Sequence, residues 1–449
     1  MTVDAFGRQW RERRVTSAKV TDSCLDRIAS DNPSLNAFIL VMADAARRQA
    51  AEADRELAAG MDRGPLHGVP ISIKDLFDIE GTATTAASRV RDGHVAAHDA
   101  PVISRLRQAG AVIIGKTNLH EFAFGTTNED SAFGSTRNPF DRSRSSGGSS
   151  GGSAVSLASG MALATIGSDS GGSIRIPAAL CGTVGLKPSY GELPADGVTP
   201  LSRTLDHIGP LTSTVTDAWH VFHALRGDTH LRPLEPARIE TLRFGIPRAY
   251  FCAILADDVR RAFDASVETL TRAGATMIEI EIPSAPLIAP VYLHIVFGDA
   301  AAYHAHTLET MPERYTAPVR LRLEMARYVL AEDYVRALQG REALRREVDA
   351  ALSGVSALLL PTVPIPAPPL GATTAQVGAT AEPIRNVMLR LTQLFNLTGH
   401  PAISLPSGRT PEGLPIGLQV VGGFGQTDTL LQVARSVEHT LSDQPQHLN

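Results

Sequence analysis

The chain has 449 residues, 43% of them hydrophobic and 20% charged, the balance of a globular protein long enough to bury a large core. Its 42 Lys and Arg against 47 Asp and Glu leave a formal net charge of −5, so there is no basic field for nucleic acid and no block of like charges that reads as an interaction tail. Cys24, Cys181 and Cys252 are too scattered for a disulfide framework or a metal-ligand pair, and the opening MTVDAFGRQWRERR lacks a signal peptide's apolar core. No stretch approaches the apolar length of a membrane span, and the expected setting is cytoplasmic, as a monomer or homodimer with no nucleic-acid or membrane partner.

Along the chain the first predicted elements are helices. Thr16 or Ser17 caps one through Ile28, and ADAARRQAAEADRELAAG is rich in Ala, Arg and Glu and stops at Gly60. The apolar runs VPISI (69–73) and AVIIG (111–115) have strand length, separated by SRLRQAG-type helical sequence, and this alternation predicts an α/β sheet. Gly and Pro thicken from 134 to 210, and 290–352 again reads as helices. PTVPIPAPPLGATT (361–374) has a linker's composition, yet the strand-like PAISLP (401–406) and LPIGLQVVG (414–422) follow it. One domain over 1–449 is therefore expected, with the Pro-rich stretch crossing its surface. Its parts are N-terminal helices (1–60), a core (65–215), a helical cover (about 290–352) and C-terminal sheet elements (400–440).

Two short motifs match by letter and fail on physics. GAVIIGKT (110–117) satisfies the phosphate-loop pattern, but that loop needs a strand before it and an open turn between its glycines; here a helical stretch precedes, and Ala-Val-Ile-Ile favours a buried strand. Gly147-Gly148-Ser149-Ser150-Gly151 fits the nucleophile elbow G-x-S-x-G, but DRSRSSGG is no strand to lead into it. A Ser-His-Asp arrangement would draw on His207 beside Asp206, and a structural His207 is the better reading. His294, His304 and His306 offer no metal-ligand pattern, since positions two apart on a helix do not share a face.

A hydroxyl is a poor nucleophile without a base in hydrogen-bond reach, and neither Gly/Ser block contains a histidine. Lys74, at the end of VPISI, is placed where desolvation would disfavour its ammonium form.

The third match is long. GGSSGGSAVSLASG continues into MALATIGSDSGGSIRIPAALCGTVGLKPSYG, flanked by GVPISIKDLFDIEG (68–81) upstream and by GHPAISLPSG and GLPIGLQVVGG downstream. Together these resemble the amidase signature family. The resemblance implies an α/β fold, a single large domain with a mixed twisted β-sheet covered by helices on both faces. It implies Lys74 as base, Ser149 as relay held by a cis peptide bond, and Ser173 as nucleophile. Ser170, Gly171, Gly172 and Ser173 would form the oxyanion hole, with Ser150, Asp169 and Arg175 bracing the site. It implies no metal and no organic cofactor.

HEFAFGTTNED (120–130) lies where such proteins line the acyl pocket, so Phe122, Ala123, Phe124 and Gly125 become candidate pocket residues, the phenylalanines alternatively core. The implied substrate is a small uncharged, apolar or aryl amide, with carbamates (urethanes) and esters open to the same chemistry. The alternative within the family is a glutamine amidotransferase of the A type, which works with a partner. There an acidic residue holds the glutamine amino group; the corresponding position here is Leu389.

Overall fold

The computed structural model describes residues 1–228, 232–378 and 380–442. Its strands are β1 (Phe38–Val41), β2 (Pro70–Lys74), β3 (Val112–Thr117), β4 (Ala164–Asp169), β5 (Val184–Lys187), β6 (His207–Thr212), β7 (Arg243–Ile246), β8 (Thr276–Glu279), β9 (Ala357–Pro361), β10 (Thr374–Val377), β11 (Thr380–Pro383), β12 (Ala402–Arg409) and β13 (Pro415–Val421). Eleven of them make one sheet in the order β1-β3-β2-β4-β6-β5-β12-β13-β9-β7-β8, while β10 and β11 pair separately as an antiparallel hairpin. The sheet is mixed: β2 runs parallel to β3 and β4, and β4 runs antiparallel to β6.

Every residue of β2, β3 and β4 is buried, the pattern of strands covered on both faces. The predicted runs 69–73 and 111–115 are therefore strands, and the C-terminal runs return to the same sheet as β12 and β13. The first long helix, Ser17–Leu35, starts where the Thr16 hydroxyl accepts from the Lys19 N–H. It continues past Ile28, across Pro33, and closes where Asn36 takes left-handed backbone.

Three helices, Ile288–Thr310, Ala317–Ala326 and Ala331–Leu352, fill the predicted helical stretch. The first is long and apolar enough to cross a membrane by length and composition, yet Ile288, Ile295, Val296 and Ala300 are fully buried in the protein, as in a core helix.

The Pro-rich stretch lies beneath the surface over 361–368 and reaches it only from Pro369 to Thr374. Thr362, Val363, Ile365 and Ala367 are buried, and the segment receives the Ser145 N–H at the Pro368 carbonyl (2.9 Å) and the Arg144 guanidinium at the Ala367 carbonyl (2.7 Å). Prolines carry no N–H, so a chain rich in them can be buried without strand or helix while leaving fewer donors unsatisfied. Its position pins the start of the Gly/Ser block.

The phosphate-loop lookalike is β3 itself. Lys116 is buried, with Nζ 2.7 Å from Asp75 Oδ1, 2.6 Å from the Ala83 carbonyl and 2.8 Å from Thr84 Oγ1. Removing one partner of a buried ion pair strands the other charge. Lys116→Met should therefore cost about 3–5 kcal/mol of stability in urea denaturation. ATP, for which Lys116 has no free donor, should not change the melting temperature of the unsubstituted chain.

Candidate active site

Two strand ends and two Gly/Ser segments converge on one point. Lys74 is the last residue of β2, and Asp169 is the last of the neighbouring β4. From Asp169 the chain turns through Ser170–Ser173 into the helix Arg175–Leu180. The other segment, Ser145–Ser150, runs into the helix Gly151–Ala158, and its Gly148–Ser149 peptide is cis. The glycines here answer to crowding. A Cβ on Gly148 would lie 2.8 Å from the Asn128 nitrogen, and one on Gly152 would lie 2.4 Å from the Asn118 carbonyl oxygen.

Lys74 is fully buried, with Nζ 2.7 Å from Ser149 Oγ and 2.9 Å from Ser168 Oγ. No carboxylate lies within ion-pair distance of it among the described residues. Burial lowers its pKa from 10.5 to about 7, against the opposing pull of Asp169 and Asp206. Ser149 and Ser150 are buried, and Ser173 is 5% exposed. The Ser150 N–H donates to the Ser173 carbonyl at 3.1 Å, and its hydroxyl donates to the Ser168 carbonyl at 3.1 Å, so Ser150 ties the two serine segments together. The Ser173 hydroxyl has no hydrogen-bond partner among the described residues.

Asp169 and Arg175 are both fully buried and meet through two contacts of 3.0 Å, Nε to Oδ2 and Nη2 to Oδ1. Arg175 also donates to Gln419 Oε1 (2.6 Å) and Asn396 Oδ1 (2.7 Å), while Asn396 Nδ2 donates to the Asp169 carbonyl (2.7 Å) and carboxylate (2.9 Å). Burial alone would raise the Asp169 carboxyl; the guanidinium beside it holds it well below the usual carboxylate range.

One expected oxyanion donor is already engaged. The Gly172 N–H donates to Asp169 Oδ1 at 2.7 Å, because the turn after β4 folds back onto its own carboxylate. The N–H groups of Ser170, Gly171 and Ser173 have no partner among the described residues. The Ser170 hydroxyl donates to Asp206, whose carboxyl is lifted to about 6 by loss of solvent.

No Ser-His-Asp array forms among the described residues. His207 Nδ1 faces the Leu205 carbonyl at 2.7 Å, whereas Asp206 accepts from Ser170 and from the N–H groups of Leu201 and Ser202.

The four candidate pocket residues separate. Ala123 lines a cavity of about 120 Å³ together with Ser168, Ser170, Leu76, Val198 and Asp206. Phe122 is buried, its ring edge-on to His304 at 4.4 Å, and Phe124 is buried against Phe297 at 5.7 Å, so both are packing residues. Gly125 lines a different cavity, where a Cβ would strike the His120 ring. Sequence reasoning missed Ser168, Thr392, Asn396 and Tyr292, and considered Asp206 only as a partner for His207. Thr392 donates to the Gly171 carbonyl at 2.6 Å, and Tyr292 Oη would lie 2.4 Å from a Cβ on Gly171. Nothing local marks these residues; only the fold brings them to the serines.

A family model described as Amidase matches residues 19–431. The chain belongs to the amidase family. It is similar to the A-subunit of the glutamyl-tRNA(Gln) amidotransferase of Koribacter versatilis, at 34% identity over 98% of both chains. Among solved structures it is similar to an amidase at 38% identity, with a TM-score of 0.93 over 98% of this chain and 100% of that one. It also resembles the native peptide amidase of Stenotrophomonas maltophilia at 28% identity, with a TM-score of 0.83 over 99% of this chain and 98% of that one. The protein is thus an amidase-family hydrolase of C–N bonds, built as one α/β domain.

In this amidase Gly172 has φ +140°, a region L side chains rarely adopt, and a Cβ there would lie 2.3 Å from Thr392 Oγ1. Gly172→Ala should lower amide turnover by at least about a hundredfold by displacing the neighbouring N–H groups, with far-ultraviolet circular dichroism unchanged.

Proposed function

We propose that the protein hydrolyses small amides on its own, aryl amides among them, through an acyl-enzyme on Ser173. The observation that carries this reading is the buried Lys74 amine, 2.7 Å from Ser149 Oγ, with a pKa near neutrality and no carboxylate in contact.

The cycle has two halves. Ser173 Oγ attacks the amide carbonyl as its proton passes to Ser149 Oγ and the Ser149 proton passes to neutral Lys74 Nζ. The N–H groups of Ser170, Gly171 and Ser173 receive the developing oxyanion, a contribution of about 3–4 kcal/mol for a single good donor. The proton returns along the same relay to the leaving amine. Water then attacks the acyl-enzyme, its proton passing through Ser149 to Lys74, and the proton returns through Ser149 to Ser173 Oγ as the acyl C–O bond breaks and the acid leaves. Carbamates and esters present the same carbonyl and fit the same cycle.

The amidotransferase reading has one observation in its favour, the likeness to proteins of that name over nearly the whole chain. Against it, Leu389 stands at the site, its Cδ2 3.0 Å from the Cβ position of Gly171, with an apolar side chain in place of an amine-binding acid. Glutamine hydrolysis appearing only with added partner proteins would favour that reading.

Release of nitroaniline from 4-nitroacetanilide by the purified chain tests the proposal, with loss of at least about 10⁴-fold expected in Ser173→Ala. The pH profile follows from the sign of the Lys74 shift. Only the neutral amine accepts a proton, so kcat/KM should rise about tenfold per unit below the Lys74 pKa and level off above about pH 7–8. A flat profile from pH 5 to 8 would point to a different base.

A further inference from the structure

Arg385 lies on the helix Ile384–Leu389, one turn before Leu389 and on the same face, about 5–6 Å along the axis. Leu389 reaches the Cβ position of Gly171, so that face is turned toward the nucleophile loop. The Arg385 guanidinium is half-buried and lines a cavity of about 230 Å³ with His120, Thr126, Thr127, Asp130 and Arg322.

Its neighbours leave it unpaired. Arg322 in the same cavity is committed, to Asp130 Oδ2 at 3.1 Å and to the Phe124 carbonyl. Asp130 also faces His120 Nε2 at 3.1 Å, and Glu129 accepts from the Gly371 N–H at 2.6 Å. Arg385 has no hydrogen bond and no ion pair among the described residues. Its one packing partner of note is the Phe124 ring, 5.9 Å from the guanidinium carbon. The groups that act on its charge are Tyr292 and Arg322, with no carboxylate among them, and Tyr292 in turn abuts Gly171. The guanidinium is half-buried and opens onto the cavity, so its donors are unused by the protein and free for an acceptor that enters there.

We infer that Arg385 is a substrate-recognition residue that binds an oxygen acceptor carried by the substrate beyond the scissile carbonyl, a carboxylate in the first instance. This rests on the hydrolase reading above and narrows its substrate class: an apolar or aryl amide with one oxygen-bearing end, in place of the wholly uncharged body expected from sequence. Arg385 touches the substrate but not the reacting atoms, so its effect belongs in KM more than in kcat.

The test compares three 4-nitroanilides of similar length: glutaric acid monoanilide, the anilide of 5-oxohexanoic acid and that of hexanoic acid. Wild type should prefer the carboxylate over the plain alkyl chain by about ten- to a hundredfold in kcat/KM, with the ketone between. Arg385→Met should erase that preference through KM while leaving the hexanoyl substrate within about twofold, and Arg385→Lys should recover part of it. Equal losses on all three substrates, or an unchanged preference, would overturn the inference. Calorimetric binding of the glutaric anilide to Ser173→Ala, with and without Arg385→Met, reads recognition apart from turnover. Affinity that depends on Arg385 supports the inference even if wild type releases no nitroaniline, an outcome that would instead defeat the hydrolase reading; affinity indifferent to Arg385 overturns the inference.

Discussion

Everything at this site depends on keeping an amine dry without giving it a carboxylate. Lowering Lys74 from 10.5 to about 7 corresponds to about 5 kcal/mol of lost preference for the ammonium form. An adjacent carboxylate would cancel that by stabilising the charge. The structure supplies hydroxyls: Ser149 and Ser168 satisfy the amine and can themselves carry protons. The two acids that act on Lys74 are both restrained. Asp169 is neutralised by Arg175, and Asp206 is bound by Ser170 and two backbone N–H groups.

The Asp169–Arg175–Asn396–Gln419 network turns that electrostatic requirement into a folding requirement. Arg175 is six residues from Asp169, but Asn396 and Gln419 come from more than two hundred residues away. A bare buried pair gains little against the cost of desolvating two charges, and breaking one is severe. Here every polar atom of the guanidinium and carboxylate that can be named has a partner, so the nucleophile loop is set only when β13 and the helix Gln393–Leu397 have joined the sheet side of the site. The loop also uses the Gly172 N–H to complete the carboxylate, which leaves that group out of the proposed oxyanion donors.

Strand periodicity and the Gly/Ser blocks made much of this legible in the sequence. VPISI and AVIIG are short, continuous apolar runs, and both lie in the doubly covered middle of the sheet. Lys74 stands out as a lysine closing an apolar run, whereas Ser149 and Ser173 are singled out from the other serines by the resemblance to the amidase signature family. The pocket is less readable. Phe122 and Phe124 look alike for core and for ligand contact, and only three-dimensional placement decides between them. The Pro-rich stretch misleads for a related reason: composition reports missing donors, which suit a flexible surface and a buried irregular strap equally well.

Cations make the sharper contrast. Lys116 is buried on a carboxylate, and Arg175 on another; both hold the fold. Lys187 is buried without an acid in contact, and burial drives its pKa well below the ordinary lysine value, yet its Nζ donates to the His400 and Pro188 carbonyls, acceptors that have no proton to exchange. Lys74 has hydroxyls as partners instead, groups that can exchange protons with it, which suits it to the proposed role of base. Arg385 has neither acid, carbonyl nor hydroxyl. Because guanidinium stays protonated at any working pH, it cannot relieve the deficit by losing its proton as Lys74 does. An acceptor carried by the proposed substrate would complete it better than solvent does, close to where Leu389 and Tyr292 meet Gly171.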